Sequence, residues 1–496
     1  MPKYFVRVEA VNLSNFAYDT HDISTIRGGS FLLLEAIEGL AQEFESELVC
    51  ITSAASQGLF RYDAPEEDPE GAVCDLQNRM FQYLSAQTGG HATFVIAVEP
   101  EIPGKFDLVM ERLEAGVYRQ HWRLPTVAVP LPAAATKECV LDGWRPGVVP
   151  YIYLEDASTS AATTVRREHG ISLKRRLFSK LLGEERYRST ISTQDLGELA
   201  LHSGQGVLDG KIAYIYVDGN GFGSIRRAVC LTDTDRREFD KTIQDGFRKP
   251  FLKALLEKAE TDPGFQTTAG ADGQGTALRL EVLLWGGDEM ILVVPAWQGL
   301  AALELFFRQA HELQFRGQPL THRAAVVFCH HNAPILLIRQ IAERLLDRAK
   351  KDIREALPAG QAAGTLEHAD GDALHYLVLE SFELLQGDLD SFLREYYRGI
   401  DYRDLLVRAG ELDALLAALH TIRANTAKSK ALEIVYALQQ GQKDQIEPLT
   451  KQFLRLVPSE KRDQVTEALQ TLTQAGPARW FLATDLWDYI PEKAAL

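Results

Sequence analysis

Paired cysteines are what this sequence of 496 residues most clearly lacks. It has five cysteines, an odd number, and no two of them stand at Cys-x-x-Cys spacing. They are Cys50, Cys74, Cys139, Cys230 and Cys329. A structural zinc site or a redox pair is therefore not expected, and the cysteines are interpreted as free thiols of a reducing compartment.

Long apolar runs and a positive overall charge are also missing. No apolar segment reaches the ~18 residues that a membrane span needs, and the first seven residues lack the layout of a signal peptide. Lys and Arg total 53 against 69 Asp and Glu, which gives a formal net charge of −16. An acidic chain binds nucleic acid poorly unless it carries a local basic patch. We therefore expect a cytoplasmic protein without a membrane segment.

The sequence does contain one order of elements twice. Hydrophobic periodicity predicts β-α-β-β-α-β over residues 4–98 and the same order over 212–353. Residues 100–205 look less regular, and from residue 373 onward only helical periodicity remains. The expected fold is α+β, with two ferredoxin-like domains in tandem and an all-α C-terminal helical bundle. The predicted domains are 1–130, 131–205 as an insert with a basic segment, 206–370 and 371–496.

Two carboxylates stand where the chain leaves the second predicted sheet. Asp218 ends a predicted strand, and Asp288 lies at the tip of a predicted hairpin. A Gly-Gly-Asp turn on its own is more often a plain hairpin turn, but unpaired buried carboxylates are costly. Mg²⁺ between the two acids offsets that cost, because it takes one or two protein carboxylates and completes its shell with phosphates and water. The pair therefore predicts metal-assisted attack on a nucleotide α-phosphate.

Residues 210–354 resemble the palm of GGDEF-type nucleotidyl cyclases. They resemble in particular the palm domains of the large polymerase-cyclase subunit of type III CRISPR effector complexes. The resemblance rests on Asp218-Gly-Asn-Gly-Phe-Gly, on Gly286-Gly287-Asp288-Glu289, and on the strand at Arg323 with the helix that ends near Lys350. Two palms followed by a helical domain also match the order of that subunit.

This resemblance implies an enzyme that joins ATP by 3′–5′ phosphoryl transfer into cyclic oligoadenylate messengers of antiviral defence. It implies two Mg²⁺ or Mn²⁺ ions, and as partners guide RNA and target RNA within a multi-subunit complex. The implied catalytic residues are Asp218, Asp288 and Glu289. The implied metal ligands are Asp218, Gly219, Asp288 and Glu289. The implied nucleotide-binding residues are Gly219, Asn220, Phe222, Gly286, Gly287 and Lys350.

The chain departs from the family pattern at several points. Glu289 replaces the second hairpin Asp, and Asn220 stands where some members carry a further acid. The four-cysteine zinc module between the palms is missing. The His-Asp nuclease domain is not expected either, since the dipeptide His21-Asp22 lacks the partner ligands that such a site needs.

The first palm is expected to be catalytically silent. Its hairpin reads Ser53-Ala54-Ala55-Ser56, with no carboxylate at the position of Asp288. Two hypotheses stay open: it binds an acceptor nucleotide through Arg27-Gly28-Gly29-Ser30, or it is a degenerate scaffold. A basic stretch at 165–188, with eight Lys/Arg against three Glu, is either a solvated surface or a docking site for RNA or a partner.

Other functions compete with this reading. A diguanylate-cyclase-like enzyme would use the same motif, although those enzymes place one palm in each of two chains. A dinucleotide-binding Rossmann domain is disfavoured, because the third glycine after Asp218 is misplaced for Gly-x-Gly-x-x-Gly. The non-enzyme alternative is an inactive palm scaffold within an RNA-guided complex.

Overall fold

A computed structural model describes residues 1–54, 56–123, 137–268, 276–356, 371–380 and 388–490. The chain divides into two compact units that alternate along the sequence. Unit 1 consists of Met1–Thr190, Phe222–Lys249 and Val282–Met290. Unit 2 consists of Ile191–Gly221, Pro250–Glu281 and Ile291–Leu496. The predicted domain boundaries at 130, 205 and 370 stay predictions.

Strands and helices alternate through most of the chain. The strands are β1 (Lys3–Val11), β2 (Leu48–Ala54), β3 (Gln57–Asp63), β4 (Thr93–Pro100), β5 (Val149–Pro150), β6 (Ser158–Thr159), β7 (Lys211–Gly219), β8 (Gln266–Thr268), β9 (Thr276–Leu278), β10 (Glu281–Gly286), β11 (Glu289–Pro295), β12 (Gln314–Phe315), β13 (Gln318–Pro319), β14 (His322–His330), β15 (Ala373–Val378) and β16 (Val407–Arg408).

The helices follow the same chain order. They are α1 (Leu13–Ala17), α2 (Ile23–Glu43), α3 (Pro69–Gln87), α4 (Phe106–Arg123), α5 (Ala161–Lys174), α6 (Leu177–Leu182), α7 (Leu196–Ala200), α8 (Phe222–Val229), α9 (Asp233–Ile243), α10 (Lys249–Thr261), α11 (Gly299–Ala310), α12 (Ile335–Ala356), α13 (Leu389–Tyr396), α14 (Ala409–Asn425), α15 (Lys428–Gln439), α16 (Ile446–Arg455), α17 (Arg462–Thr473) and α18 (Arg479–Asp485). No helix of the described residues is both long enough and apolar enough to span a membrane.

Unit 1 is built on a four-stranded sheet with the order β2-β3-β1-β4. Its paired strands are antiparallel. Alternation along β1 sends Val6 and Val8 to one face, where they pack with Ile37 and Leu40 of α2. The opposite face packs against α4, where Leu113 is fully buried. The predicted β-α-β-β-α-β order of the first copy is confirmed.

The amphipathic pattern predicts a helix from about Phe31 to Phe44, but α2 begins eight residues earlier, at Ile23. Asp22 caps it, because its carboxylate accepts a hydrogen bond from the Thr25 amide at 2.7 Å. Arg27 is therefore inside the helix and fully buried, and its guanidinium donates to the Gly170 carbonyl at 2.8 Å. A Cβ on Gly28 would lie 1.7 Å from the Arg166 carbonyl oxygen. The predicted nucleotide contact of Arg27-Gly28-Gly29-Ser30 is wrong, because this segment packs α2 against α5.

The basic stretch at 165–188 is largely neutralised within unit 1. Arg166 is fully buried and donates to the Asp19 carboxylate at 2.6 Å. Lys180 forms an ion pair with Glu35 at 2.7 Å. The region predicted to be irregular instead contributes three helices to unit 1: α4, α5 and α6.

The second sheet has six strands in the order β10-β11-β7-β14-β15-β16. β7 pairs with β14 in antiparallel fashion, and Asp218 lies opposite Arg323 in that register. In chain order, the strands of the second copy are β7, β10, β11 and β14. In the sheet they stand as second, third, first and fourth, and the strands of the first copy, β2-β3-β1-β4, stand in the same order. The predicted duplication therefore has a counterpart in strand topology.

Beyond residue 373 the structure differs from the purely helical prediction. Residues 373–378 form β15, parallel to β14 and antiparallel to β16. The predicted helix from Leu374 to Tyr397 is therefore wrong at its start, and its residues 381–387 lie outside the described part of the chain. The run is buried along almost its whole length, and a strand buried on both faces shows no alternation that distinguishes it from a buried helix.

Candidate active site

The Gly-Gly-Asp-Glu segment forms the turn between β10 and β11. Gly287 has a φ of +52°, a left-handed conformation that glycine adopts without strain, and open space surrounds the position of its absent Cβ. Asp288 is half-buried and Glu289 is exposed at the start of β11. The turn therefore presents two carboxylates side by side, as the motif predicts.

A buried arginine that the motif does not reveal holds this turn. Arg248 donates one hydrogen bond to the Gly287 carbonyl at 2.8 Å and another to the Glu289 carbonyl at 2.5 Å. Its guanidinium carbon lies 4.6 Å from the centroid of the Trp285 ring. Burial lowers the pKa of Arg248 to about 10, although Asp288, Asp240 and Glu289 favour its charged form.

Arg248 reaches the turn from a distorted stretch of helix. Hydrophobic periodicity predicts one helix from about Arg237 to Glu260. In the structure, a π-helical turn at Gln244–Arg248 interrupts it between α9 and α10. Such a turn inserts one extra residue and rotates the side chains that follow, and it is frequent at functional sites. Periodicity alone gave no signal for this insertion, so sequence reasoning missed Arg248.

A pocket of about 350 Å³ lies beside the turn, and all of its walls belong to unit 1. Its volume is in the range that binds small molecules. One wall is the turn itself, residues 286–289. α8 and α9 add Phe222, Arg226, Arg236 and Asp240. The hairpin of the first copy adds Thr52, Ala54, Ser56 and Gln57.

Charged groups of both signs face this pocket. Burial lowers the pKa of Arg226, and it lowers that of Arg236 to about 10. Burial raises the pKa of Asp240 to about 6, although Arg226 and Arg248 favour its ionised form. Phe222 is buried and packs edge-to-face on Phe239, with ring centroids 6.1 Å apart. The pocket therefore combines guanidinium groups, carboxylates and one aromatic ring.

The other predicted carboxylate lies in unit 2. Asp218 is 8% exposed near the end of β7, and the ammonium group of Lys350 from α12 forms an ion pair with it. Gly219 follows in register with His322. Lys350 is thus next to a predicted metal ligand, and its predicted contact with triphosphate oxygens stays a prediction.

Asn220 has a structural role at the end of the same strand. Its side-chain amide donates to Thr321 Oγ1 and to the Gly371 carbonyl, both at 2.9 Å. Both amide hydrogens are therefore used, and the residue is 2% exposed. Its Oδ1 has no hydrogen-bond partner among the described residues. The predicted nucleotide contact of Asn220 stays a prediction and would have to use that oxygen.

The predicted ligands are distributed over both units. Asp218 and Gly219 belong to unit 2, whereas Asp288 and Glu289 belong to unit 1. Within the described ranges, no group of three or more His, Cys, Asp or Glu side chains has an arrangement that could hold a metal ion. A shared metal between Asp218 and Asp288 therefore stays a prediction.

Comparison with known proteins identifies the fold. No family model matches this chain, and no curated protein matches it. Among solved structures, Csm1 of T.onnurineus is 13% identical with a TM-score of 0.53, over 99% of this chain and 70% of that chain. A Csm1-Csm4 cassette in complex with cA3 is 12% identical with a TM-score of 0.55, over 99% of this chain and 69% of that chain. The same cassette in complex with cA4 gives 12% identity, a TM-score of 0.54, and coverage of 99% and 70%.

At such low identity the likeness shows the fold alone. Over 99% of its length, this chain has the fold of Csm1, a subunit of type III CRISPR-Csm complexes. The resemblance to the large subunit of those complexes, predicted from the motifs of residues 210–354 and from the domain order, is confirmed at this level.

Proposed function

We propose that this protein is a metal-dependent nucleotidyltransferase that joins ATP by 3′–5′ phosphoryl transfer into cyclic oligoadenylates, as part of CRISPR-linked antiviral defence. The observation that carries the proposal is the pocket of unit 1, where the Gly-Gly-Asp-Glu turn, the buried Arg236 and the half-buried Arg226 line one cavity of nucleotide-binding size. The choice of adenine nucleotides is supported by the neighbours of the same fold, which were solved in complex with cA3, cA4 and AMPPNP.

The proposed ligands suit two Mg²⁺ or Mn²⁺ ions. Asp218, Asp288 and Glu289 offer carboxylate oxygens and Gly219 offers a backbone carbonyl, which are the hard oxygen donors that these ions prefer. When bound, such ions lower the pKa of an attacking ribose hydroxyl and neutralise the leaving pyrophosphate.

The residues of the pocket have distinct proposed tasks. The absence of side chains at Gly286 and Gly287 lets a nucleotide approach the turn closely. Arg248 fixes the carbonyls on either side of Asp288 and so keeps that carboxylate in one orientation. Phe222, held by Phe239, supplies an apolar surface for a base or a ribose.

The proposed protein has two palms in tandem, and only the second palm carries the Gly-Gly-Asp-Glu motif. The described hairpin of the first copy has Ser53, Ala54 and Ser56 where the second has its acids, and Ala55 lies outside the described residues. That hairpin nevertheless lines the pocket in unit 1. The first palm therefore acts as a wall of the nucleotide site through β2 and β3, and not through Arg27-Gly28-Gly29-Ser30.

Membership of a multi-subunit complex belongs to the same proposal. The neighbours of this fold include Csm1 solved as a cassette with Csm4. A corresponding subunit, guide RNA and target RNA are the proposed partners, with activity in the cytoplasm.

The test is synthesis from labelled ATP with Mg²⁺, with and without RNA, resolved by chromatography. We expect oligoadenylate products from the wild type and at least a 100-fold loss for Asp288→Asn, since removing one metal carboxylate removes transition-state stabilisation. Asp463→Asn, an exposed acid on α17, is the matched control and should match the wild type. Equal yield from Asp288→Asn would disprove the metal assignment. A parallel assay uses labelled GTP. Product from GTP and not from ATP would favour a diguanylate-cyclase-like enzyme, and no product from either nucleotide would favour an inactive scaffold subunit.

A further inference from the structure

Two pairs of consecutive arginines lie near the pocket of unit 1, and in each pair only one arginine lines that pocket. Arg226-Arg227 lies on α8 and Arg236-Arg237 lies on α9. Arg226 and Arg236 line the pocket that contains Asp288. Arg227 and Arg237 are exposed and do not line it. Arg237 instead lines a second pocket of about 330 Å³ on the other side of Gly286, so only Arg227 lies away from both pockets.

The two inward guanidinium groups, those of Arg226 and Arg236, are not paired with a carboxylate in the described residues. Arg236 is 9% exposed and Arg226 is half-buried, and the Nε atoms of both are buried without a hydrogen-bond acceptor. The guanidinium carbon of Arg236 lies 5.9 Å from the centroid of the Phe106 ring, a cation–π contact that leaves its hydrogen-bond donors free for a ligand. The acids that share their pocket, Asp240 and Asp288, influence Arg226 only at longer range.

This arrangement is costly for the isolated chain. A buried charge is tolerated when it is paired and hydrogen-bonded, and one without a counter-ion destabilises the fold. The two guanidinium groups also repel each other, which lowers the pKa of Arg236 further. Two such cations persist side by side in one pocket when a ligand with several negative oxygens compensates both.

We propose that Arg226 and Arg236 bind the phosphate chain of the nucleotide in this pocket and so make the site select triphosphates over monophosphates. A guanidinium is planar and donates two parallel hydrogen bonds, which matches phosphate oxygens better than an ammonium does. The geometry needs two anionic groups in one ligand, which a triphosphate supplies and a monophosphate does not. This inference rests on the proposed function for the identity of the reaction, but not for the binding itself.

The first experiment measures binding of inorganic tripolyphosphate to the full chain by calorimetry. We expect Arg226→Met and Arg236→Met each to weaken binding at least tenfold. Arg227→Met, the outward neighbour that lines neither pocket, should stay within twofold of the wild type. Wild-type binding by the inward variants would overturn the inference. An equal loss in Arg227→Met would also overturn it, since it would indicate a general surface charge effect.

Thermal unfolding without ligand separates a binding role from a structural one. Because the inward cations have no carboxylate partner, replacing either with Met should leave the melting temperature unchanged or raise it. Tripolyphosphate should then stabilise the wild type and not the two variants. A marked fall in melting temperature for Arg226→Met and Arg236→Met would show that they support the fold, and the inference would be wrong.

Comparison of ATP with AMP distinguishes this inference from the proposed function. In Asp288→Asn protein, which is expected to make no product, ATP should still bind at least tenfold more tightly than AMP. Adding Arg226→Met or Arg236→Met should abolish that preference. If the wild type binds tripolyphosphate through these arginines but synthesises nothing, the inference stands and the proposed function fails. If it synthesises product while the Met variants keep the wild-type KM for ATP, the inference fails alone.

Discussion

The ammonium group of Lys350 forms an ion pair with the Asp218 carboxylate. Asp218 is the next-to-last residue of β7. The Asp218 side chain is 11% exposed and that of Lys350 is 32% exposed, so water screens the pair only in part. A buried carboxylate needs such compensation. In the protein without ligands, α12 therefore supplies to Asp218 the positive charge that a metal ion is proposed to supply during catalysis.

Lys350→Met should strengthen metal binding to the free protein. A cation at ion-pair distance from Asp218 competes with an incoming dication for the same carboxylate, at a cost of ~1–4 kcal/mol. We expect Mn²⁺, measured by electron paramagnetic resonance without nucleotide, to bind about tenfold more tightly to the variant. The matched control is Lys351→Met, since Lys351 is exposed at the next position of α12. Unchanged Mn²⁺ affinity in Lys350→Met would argue against Asp218 as a metal ligand.

Arg248→Met should loosen the turn that carries Asp288. The substitution removes two hydrogen bonds from a charged donor to the part-buried carbonyls of Gly287 and Glu289, each worth ~1.5–3 kcal/mol. We expect a lower melting temperature and a loss of synthesis greater than the unfolded fraction explains. Arg279→Met is the control, because Arg279 donates in the same way to the carbonyls of Glu198, Leu199 and Leu201 in unit 2. If both variants lose stability and activity in the same proportion, Arg248 has no specific role at the turn.

Gly28→Ala should strongly destabilise unit 1. The added Cβ would lie 1.7 Å from the Arg166 carbonyl oxygen, so α2 and α5 would have to separate. Overpacking of this kind costs up to about 3 kcal/mol, and urea unfolding measures it. Gly410→Ala is the control, since Gly410 lies on α14 with nothing within 4 Å of the added methyl group. That variant should gain ~0.5–1 kcal/mol from helix propensity. Equal stability of the two variants would contradict the described α2–α5 contact.

The sequence predicted the structure best where a local pattern of apolar residues is compatible with only one kind of secondary structure. Alternation in β1 and the apolar stretches on either side of the Gly-Gly-Asp-Glu turn predicted their strands correctly, because few other structures bury such patterns. The same holds for the repeated element order, which appears as one strand order in both sheets. The resemblance to the CRISPR subunit added the expected chemistry to these elements.

The failures have physical causes of their own. Arg27-Gly28-Gly29-Ser30 looked like a ligand-binding loop because glycines are common in loops, whereas here they permit close contact between helices. β15 was predicted as helix because an almost wholly buried strand shows no alternation. Arg248, Arg226 and Arg236 were not singled out, because their roles depend on burial and on a π-helical turn, neither of which shows in hydrophobic periodicity.

The stability of unit 2 should depend on pH through one buried acid. Asp485 is 9% exposed, and its carboxylate accepts hydrogen bonds from Tyr397 at 2.8 Å and from Tyr376 and Tyr396 at 3.1 Å. Burial raises its pKa to about 6, although the three hydroxyl groups favour the ionised form. The folded chain therefore holds this proton more tightly than the unfolded chain, where the pKa of Asp is about 3.9.

The sign of the effect follows from that difference. The extra stability is fully present below pH ~4 and is lost as the pH rises through about 6, where the folded carboxyl ionises. Asp485→Asn has no proton to lose, so its free energy of unfolding relative to the wild type should increase by roughly 2 kcal/mol between pH 4 and pH 7. Urea unfolding of both proteins at the two pH values measures this change and cancels the other titrating groups. A difference that stays constant with pH would mean that the Asp485 carboxyl titrates alike in the folded and unfolded chains, and that its tyrosine partners offset its burial completely.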